Sequence, residues 1–393
     1  MPNRRFELEN NVWNLDRCAG CGMCVAACSR GQLCFESSTS HPTFNPKVKN
    51  VGLSAIEVDT CSFCEGMCAE SCPRLKEWEK EEYHRIFSAK TTRNTHANPV
   101  NEIIVDLLSA GLANEFIDAI LIMDVNKWHG KPYSRVIRSI DELYRVSGTQ
   151  NIWIPILPPL YQRTLTKEFR KIAIVGPPCV AQAVKCVSNS SIEGLSILRN
   201  VVGLSLSTFC SGFYEPALLD DLTSRLKVSP SEILSIGRSS ENANLEIKLT
   251  NGKIELIPLE EVQKYMREGC ARCTDYLGES ADISVGQTGS KNGFSTLIVW
   301  NSKGRGFLNN CVNFNLIELS DNLDQEALVA ARENKERRLR VQAFDSLLIY
   351  SLESLTDKDR LEDMKKRFLD LFSRTRNIKS SKTGDGCSEC INC

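Results

Sequence analysis

The chain has 393 residues, 42% of them hydrophobic and 25% charged, and a formal net charge of −1. That is enough apolar material for one large core and a small second domain, and so even a charge balance excludes the basic or acidic field that recruits nucleic acid. With no secretory signal and no apolar run near the roughly 18 residues that span a bilayer, the 18 cysteines point to a cytoplasmic redox protein rather than a disulfide framework, with any membrane association made through a partner.

After a polar lead-in over residues 1–15 come two cysteine runs. The first is Cys18-x2-Cys21-x2-Cys24-x3-Cys28, and the second is Cys61-x2-Cys64-x3-Cys68-x3-Cys72, closed by Pro73. Such spacing lets one backbone loop wrap three thiolates around a cubane while the fourth cysteine reaches the neighbouring cluster. These are ferredoxin runs, and they predict Cys18, Cys21, Cys24 and Cys72 on one 4Fe-4S cluster and Cys61, Cys64, Cys68 and Cys28 on another. The first run lacks a closing proline and the second has an extra residue before Cys68, but neither change removes a ligand. A four-thiolate set also suits zinc, which is the alternative. Ser37–Asn50, between the runs, is a surface loop by composition.

Beyond residue 80 the pattern becomes that of an α/β sheet. Ile103, Ile104, Leu107, Leu108 and Leu112 recur at helical spacing over Asn101–Leu112, and Ala119–Val125 reads as a buried strand. A proline-stiffened loop at 155–159 precedes strands at Lys171–Val175 and Val201–Leu206. Asn251-Gly252, between Glu246–Leu249 and Lys253–Ile257, predicts a hairpin with a type I′ turn. A short helix over Leu259–Met266 follows, and residues 324–375 read as charged, helical and peripheral.

A third cysteine group emerges once the strands are placed. Cys179 follows the strand ending at Val175, and Cys210 follows the strand ending at Leu206. If both strands lie parallel in one sheet, the two thiols reach the same rim, where open α/β sheets hold cofactors, and Cys270-x2-Cys273 could complete a tetrad. Isolated cysteines at strand ends are otherwise core residues.

Gly176-Pro-Pro-Cys179, Phe209-Cys210, Gly269-Cys270-Ala-Arg-Cys273-Thr-Asp275-Tyr276 and Glu279-Ser-Ala281-Asp282-Ile-Ser-Val-Gly286-Gln-Thr-Gly289-Ser290 occur in that order. In these segments the chain resembles the family of coenzyme F420 hydrogenase/dehydrogenase β subunits, which are iron–sulfur flavoproteins. The resemblance covers roughly residues 85–315, with the N-terminal runs matching the longer members. It implies that Cys179, Cys210, Cys270 and Cys273 hold a 4Fe-4S cluster beside an FAD. It also implies that Gly286, Gln287, Thr288, Gly289 and Ser290 lie along the flavin, where glycines at 286 and 289 let backbone amides approach a pyrophosphate; without the resemblance, this loop is an ordinary turn. The implied architecture is an α/β core with a mixed sheet plus a small α+β ferredoxin-like domain. Residues 1–80 form the two-cluster domain, 81–320 the FAD and 4Fe-4S core, and 321–393 a helical extension with a Cys-rich tail.

The expected function is transfer of electrons between reduced coenzyme F420 and a partner redox subunit of hydrogenase, dehydrogenase or reductase type, through FAD and the clusters, with no catalytic acid or nucleophile. Two segments depart from the family. Thr95–Asn101 stands where members carry Asp-Gly-Gly, and Gly148-Thr149-Gln150-Asn151 stands where they carry Gly-Thr-Lys-Tyr. The first removes glycines and the second a cation, which leaves a non-catalytic electron relay as the other reading. Lys127 and Lys131, flanking Trp128, are the basic candidates for a deazaflavin tail, and a solvated loop is the alternative. His41, His84, His96 and His129 share no motif. Cys387, Cys390 and Cys393 form a metal or redox motif or a tethered dithiol tail, and Cys34, Cys186 and Cys311 are packing residues.

Overall fold

The computed structural model describes residues 4–36, 39–44, 61, 64–79, 81–93, 98–126, 128–146, 150–161, 168–239 and 244–337. Thr95–Ala97, Lys127, Gly148, Thr149, most of the Ser37–Asn50 loop and the tail bearing Cys387, Cys390 and Cys393 lie outside them.

Thirteen strands are present among the described residues: β1 Leu33–Cys34, β2 Thr43–Phe44, β3 Arg85–Thr91, β4 Ala119–Val125, β5 Pro132–Ile137, β6 Ile172–Gly176, β7 Val202–Thr208, β8 Ile233–Arg238, β9 Asn244–Leu249, β10 Ile254–Pro258, β11 Ile283–Gly286, β12 Ser295–Val299 and β13 Ile317–Ser320. Eight of them make one mixed sheet in the order β13-β3-β12-β11-β7-β6-β4-β5. Its centre is parallel, since β4, β6, β7 and β11 run the same way, and antiparallel strands flank both sides.

Period-two alternation makes the sheet two-faced. Ile120 and Ile122 face a core shared with Ile103, Leu107 and Leu108 of helix Pro99–Ala113 and with Phe307 and Cys311 of helix Ser302–Val312. The former helix starts where Asn98 Oδ1 accepts the Val100 amide at 3.0 Å. Ala119, Leu121 and Met123 face the opposite core with Val180, Ala183, Val184 and Val187 of helix Pro178–Asn189. That second core also contains Cys21, Met23, Ala26, Ala27 and Met67, so the N-terminal cysteine segments are built into the sheet's packing. Residues 1–336 form one compact unit.

The hairpin at Asn251-Gly252 pairs β9 with β10, but only Gly252, at φ +85°, is left-handed, so the turn is not the type I′ expected; β8 completes a small antiparallel sheet. The predicted helix at Leu259–Met266 is shorter: four α-helical residues, Leu259–Val262, tighten into a 3-10 turn through Tyr265. Residues 325–337 are helical as expected, but they are not peripheral. Leu328 and Lys335 are buried, at 5% exposure each. Among the described residues no helix is long and apolar enough to cross a membrane.

Candidate functional site

Parallel pairing of β6 with β7 sets Gly176 opposite Ser207, which delivers the segments after both strands to one rim. There Cys179, Cys210, Cys270 and Cys273 line a single cavity, together with Ala19, Cys21, Arg74 and Lys335. A second cavity is lined by Cys28, Cys61, Cys64 and Cys68. Cys24 lies close to Cys21, Cys18 and Cys72 and also to Cys68 of the second group. The motif cysteines therefore gather in neighbouring groups, with Cys21 reaching the wall that Cys179 occupies.

Burial raises most of these thiols. It takes Cys21, Cys68 and Cys72 to about 12 and Cys179 and Cys24 well above the usual range. Cys273 is different. Burial opposes its ionisation too, but the cations of Lys335 and Arg74 outweigh that and bring it down to about 7. A thiolate is the form that ligates metal, so the core site favours its ligand state on the side where those two cations sit.

Among the described residues no three His, Cys, Asp or Glu side chains converge where one metal ion could sit. A lone zinc holds each sulfur about 2.3 Å away, whereas a cubane keeps its four thiolates apart around its own bulk. Four soft sulfur donors walling one cavity are the donor set that a cubane takes.

A third cavity lies at the C-terminal ends of β4, β6 and β7, lined by Met123, Gly176, Thr208, Phe209, Asn151 and Ser211 among others. Cys210, Pro177 and Gly212 belong to the walls of both this cavity and the core cysteine cavity. The predicted flavin loop stands behind this wall. The place a side chain would take at Gly286 is filled by the Phe209 ring. Gly289, at φ +89°, has Leu328 Cγ 2.9 Å and the Asp324 carbonyl 3.0 Å from where its Cβ would be. Gln287 donates to the Phe294 carbonyl, and Thr288 and Ser290 hydrogen-bond to Tyr276 and Thr296. Both glycines are thus explained by internal packing, and the loop supports Phe209 from behind.

The departures from the expected motifs fall nearby. Gln150 is fully buried, with Nε2 donating to the Ile233 carbonyl at 3.2 Å and Oε1 buried without a partner. Trp128, 87% exposed, and Lys131 lie on an open groove with His129, Tyr133 and Pro230. His41 stacks on Trp13 with ring centroids 5.5 Å apart, and Cys186 and Cys311 are buried, the latter in the main core.

Sequence reasoning missed three cations. Arg267, 1% exposed, donates to the Ala19 carbonyl at 2.8 Å and pairs with Glu215 at 3.0 Å. Arg74, two residues past Cys72, lies against Cys273 and Cys179. Lys335 donates to the carbonyls of Cys210, at 2.6 Å, and Asp275, at 2.5 Å. Only Arg74 had a nearby signal, the Cys-Pro-Arg that ends the second run.

Residues 169–325 match the family described as the C terminus of the beta subunit of coenzyme F420 hydrogenase/dehydrogenase. Over that span the chain is similar to this family of β subunits. An uncharacterized protein of Methanocaldococcus jannaschii is 28% identical over 85% of this chain and 97% of its own length. The beta subunit of the coenzyme F420 hydrogenase of Methanothermobacter thermautotrophicus is 24% identical over 60% of this chain and 84% of its own. A chain of the F420-reducing [NiFe] hydrogenase complex from Methanosarcina barkeri shares the fold, with a TM-score of 0.59 and 20% identity over 66% of this chain and 90% of that one. The Gly269–Asp275 and Asp282–Ser290 segments that line or back the cavities lie inside the matched family span.

Proposed function

We propose that the chain is an iron–sulfur flavoprotein subunit that passes electrons between reduced coenzyme F420 and a redox partner subunit in the cytoplasm. The observation that carries this reading is the pair of adjoining cavities that share Cys210, one walled by four cysteines and the other at the ends of the parallel strands. In this assignment Cys179, Cys210, Cys270 and Cys273 hold a core 4Fe-4S cluster. Cys18, Cys21, Cys24 and Cys72 hold a second, and Cys28, Cys61, Cys64 and Cys68 a third, in a ferredoxin-like N-terminal segment. The rim cavity takes the ring system of FAD, and the Gly286–Ser290 loop backs its Phe209 wall. Flavin chemistry supplies the conversion between a two-electron hydride and the single electrons that clusters accept.

The protein's part is positioning and exclusion of water. Phe209 walls the rim cavity, and the Tyr276 ring packs on it with centroids 5.6 Å apart. Cys21 and the Ala19 carbonyl bring the first run to the core cavity, where the Cys179 thiol lies 4.0 Å from Ala19 O. The four cysteines of the second-run cavity are all partly exposed, whereas each of the other two groups includes buried ones, which supports that end as the exit toward a partner. Anaerobic purification followed by iron, sulfide and flavin analysis tests the reading. About twelve iron, twelve sulfide and one FAD per chain are expected from three cubanes, and stoichiometric zinc without flavin would overturn it.

The second reading is a relay without a hydride site. It is favoured by Gln150, whose uncharged side chain is turned into the hairpin sheet where family members carry a lysine.

A further inference from the structure

We propose that Lys335 sets the reduction potential of the core cysteine site, holding it above the value that the four cysteines alone would impose. The inference rests on the proposed core cluster. It concerns a residue that neither the cysteine motifs nor the matched family span, which ends at residue 325, contains.

Three observations carry it. The first is burial: Lys335 is a lysine at 5% exposure, a state that lysines adopt only with compensation. The second is where that compensation comes from. Two of the three ammonium protons go to the main-chain carbonyls of Cys210 and Asp275, so the ammonium is held by peptide dipoles, and the Asp275 carboxylate acts on it through space without a hydrogen bond. The third is the neighbourhood. Lys335 lines the same cavity as all four core cysteines, and the one acidic side chain in that wall, Asp275, is occupied elsewhere, its Oδ2 taking the Gln182 amide at 3.0 Å and its Oδ1 the Gly278 amide at 2.8 Å.

One-electron reduction adds a unit of negative charge to whatever the four thiolates hold. In a wall shielded from solvent, a fixed cation stabilises that added charge, and net charge is one of the terms that sets a cluster's potential. Arg74 also lines this cavity, but it follows Cys72 by two residues and acts on the first-run cysteines as well. The influence of Lys335 falls on Cys273, Cys210 and Cys270, all of the core set, and on the Asp275 carboxylate beside them, whereas Arg74 divides its influence between the core and first-run cysteines. Lys335 therefore separates the core potential from the other two, favouring electrons on the core site when they leave a flavin at the shared Cys210 wall.

The test is a redox titration followed by electron paramagnetic resonance on the full-length, anaerobically reconstituted chain, with reduced viologens as one-electron titrants, so that no turnover is needed. In Lys335→Gln, which keeps a donor and loses the charge, the equilibrium between the core signal and the N-terminal signals should shift at least tenfold against the core, about 59 mV for one electron. Lys335→Arg should keep the wild-type order. An unchanged core midpoint in Lys335→Gln overturns the proposal, as does an equal shift in Lys335→Arg, since charge would then not be the cause. If Lys335→Gln loads only eight iron atoms, the lysine is an assembly clamp and the proposal also fails. A wild-type chain with no core signal and no more than eight iron atoms sinks the cluster assignment instead, an outcome distinct from the others.

Discussion

Arg267 lies face to face with Trp153, its Cζ 3.9 Å from the ring centroid, and both side chains donate to the first cysteine loop, Arg267 Nη1 to the Ala19 carbonyl at 2.8 Å and Trp153 Nε1 to the Gly20 carbonyl at 3.1 Å. Arg267 also donates to the Ser40 carbonyl, and Gly269 packs so closely on the Cys18 carbonyl that no side chain could stand there. The loop that carries Cys270 and the loop that carries Cys18 are therefore one packed body. Electron transfer between the first-run and core sites requires such a fixed separation.

Arg267→Ala should therefore be among the most damaging single changes outside the cysteines. It removes the arginine's donors from the buried Ala19 carbonyl and the partly buried Ser40 carbonyl, at about 1–3 kcal/mol for the buried one, and opens a cavity under Trp153. Arg267→Lys should recover little, because an ammonium has neither the planar fork nor the stacking face. Urea unfolding would give the loss, expected at about 3 kcal/mol or more, and limited proteolysis should release the segment before residue 80 in Arg267→Ala first. A loss under about 1 kcal/mol would show that the stack is incidental.

Removing core ligands should subtract one cluster. Cys210→Ala or Cys270→Ala is expected to lower iron and sulfide from about twelve to about eight per chain, the content of the two remaining cubanes. The shared packing of Cys18 with Gly269 and of Cys21 with Cys179 makes Cys270→Ala the harsher of the two. Iron near zero in both variants would mean that the three sets assemble only together.

Much of this was legible in the sequence, and the reason is locality. The two N-terminal runs declare their ligands because cubane loops are built from cysteines two or three residues apart. Ala119–Met123 announced a buried strand through an apolar run ended by Asp124, and Asn251-Gly252 announced a hairpin, though not its turn type. The core tetrad needed one inference more, that β6 and β7 run parallel, before Cys179 and Cys210 could be brought together. Lys335 and Arg267 were not legible, because they act on backbone carbonyls 125 and 248 residues away and no local pattern marks a long-range cation; Arg74 had its place after Cys72-Pro73 as a signal, but not its reach to the Gly269 carbonyl 195 residues away. The 325–337 helix read as peripheral for the same reason: its charges suggest solvent, and only the fold buries Leu328 over Gly289 and Lys335 beside Cys210.

The glycines of the 286–290 loop separate a packing role from a flavin role. Gly289→Val should destabilise the chain whether or not flavin is bound, because φ +89° strains a branched residue and Leu328 already fills the space. Ser211→Trp is the cleaner probe, since it pushes a ring into the cavity at the strand ends and away from the Leu328 contact. Flavin occupancy after purification should fall severalfold in Ser211→Trp while iron content holds near twelve. Full flavin occupancy in that variant would move the ring system out of this cavity.

The hydride question is decided by the choice of donor. If the rim cavity holds a working flavin, reduced coenzyme F420 should bleach the flavin band first and the cluster absorbance afterwards, because only the flavin takes a hydride and the clusters take electrons one at a time. NADH should reduce the protein far more slowly, since the sequence has no Gly-x-Gly-x-x-Gly turn between a strand and a helix to seat that dinucleotide. Restoring the family's lysine by Gln150→Lys is the informative variant. At that position the side chain is fully buried against the Ile233 carbonyl, so a lysine placed there must either turn toward the rim cavity beside Asn151 or destabilise the hairpin sheet. A chain that neither donor reduces, but whose clusters accept electrons from a reduced viologen, is a relay. Faster reduction by the deazaflavin in Gln150→Lys would then identify the lost cation as the reason.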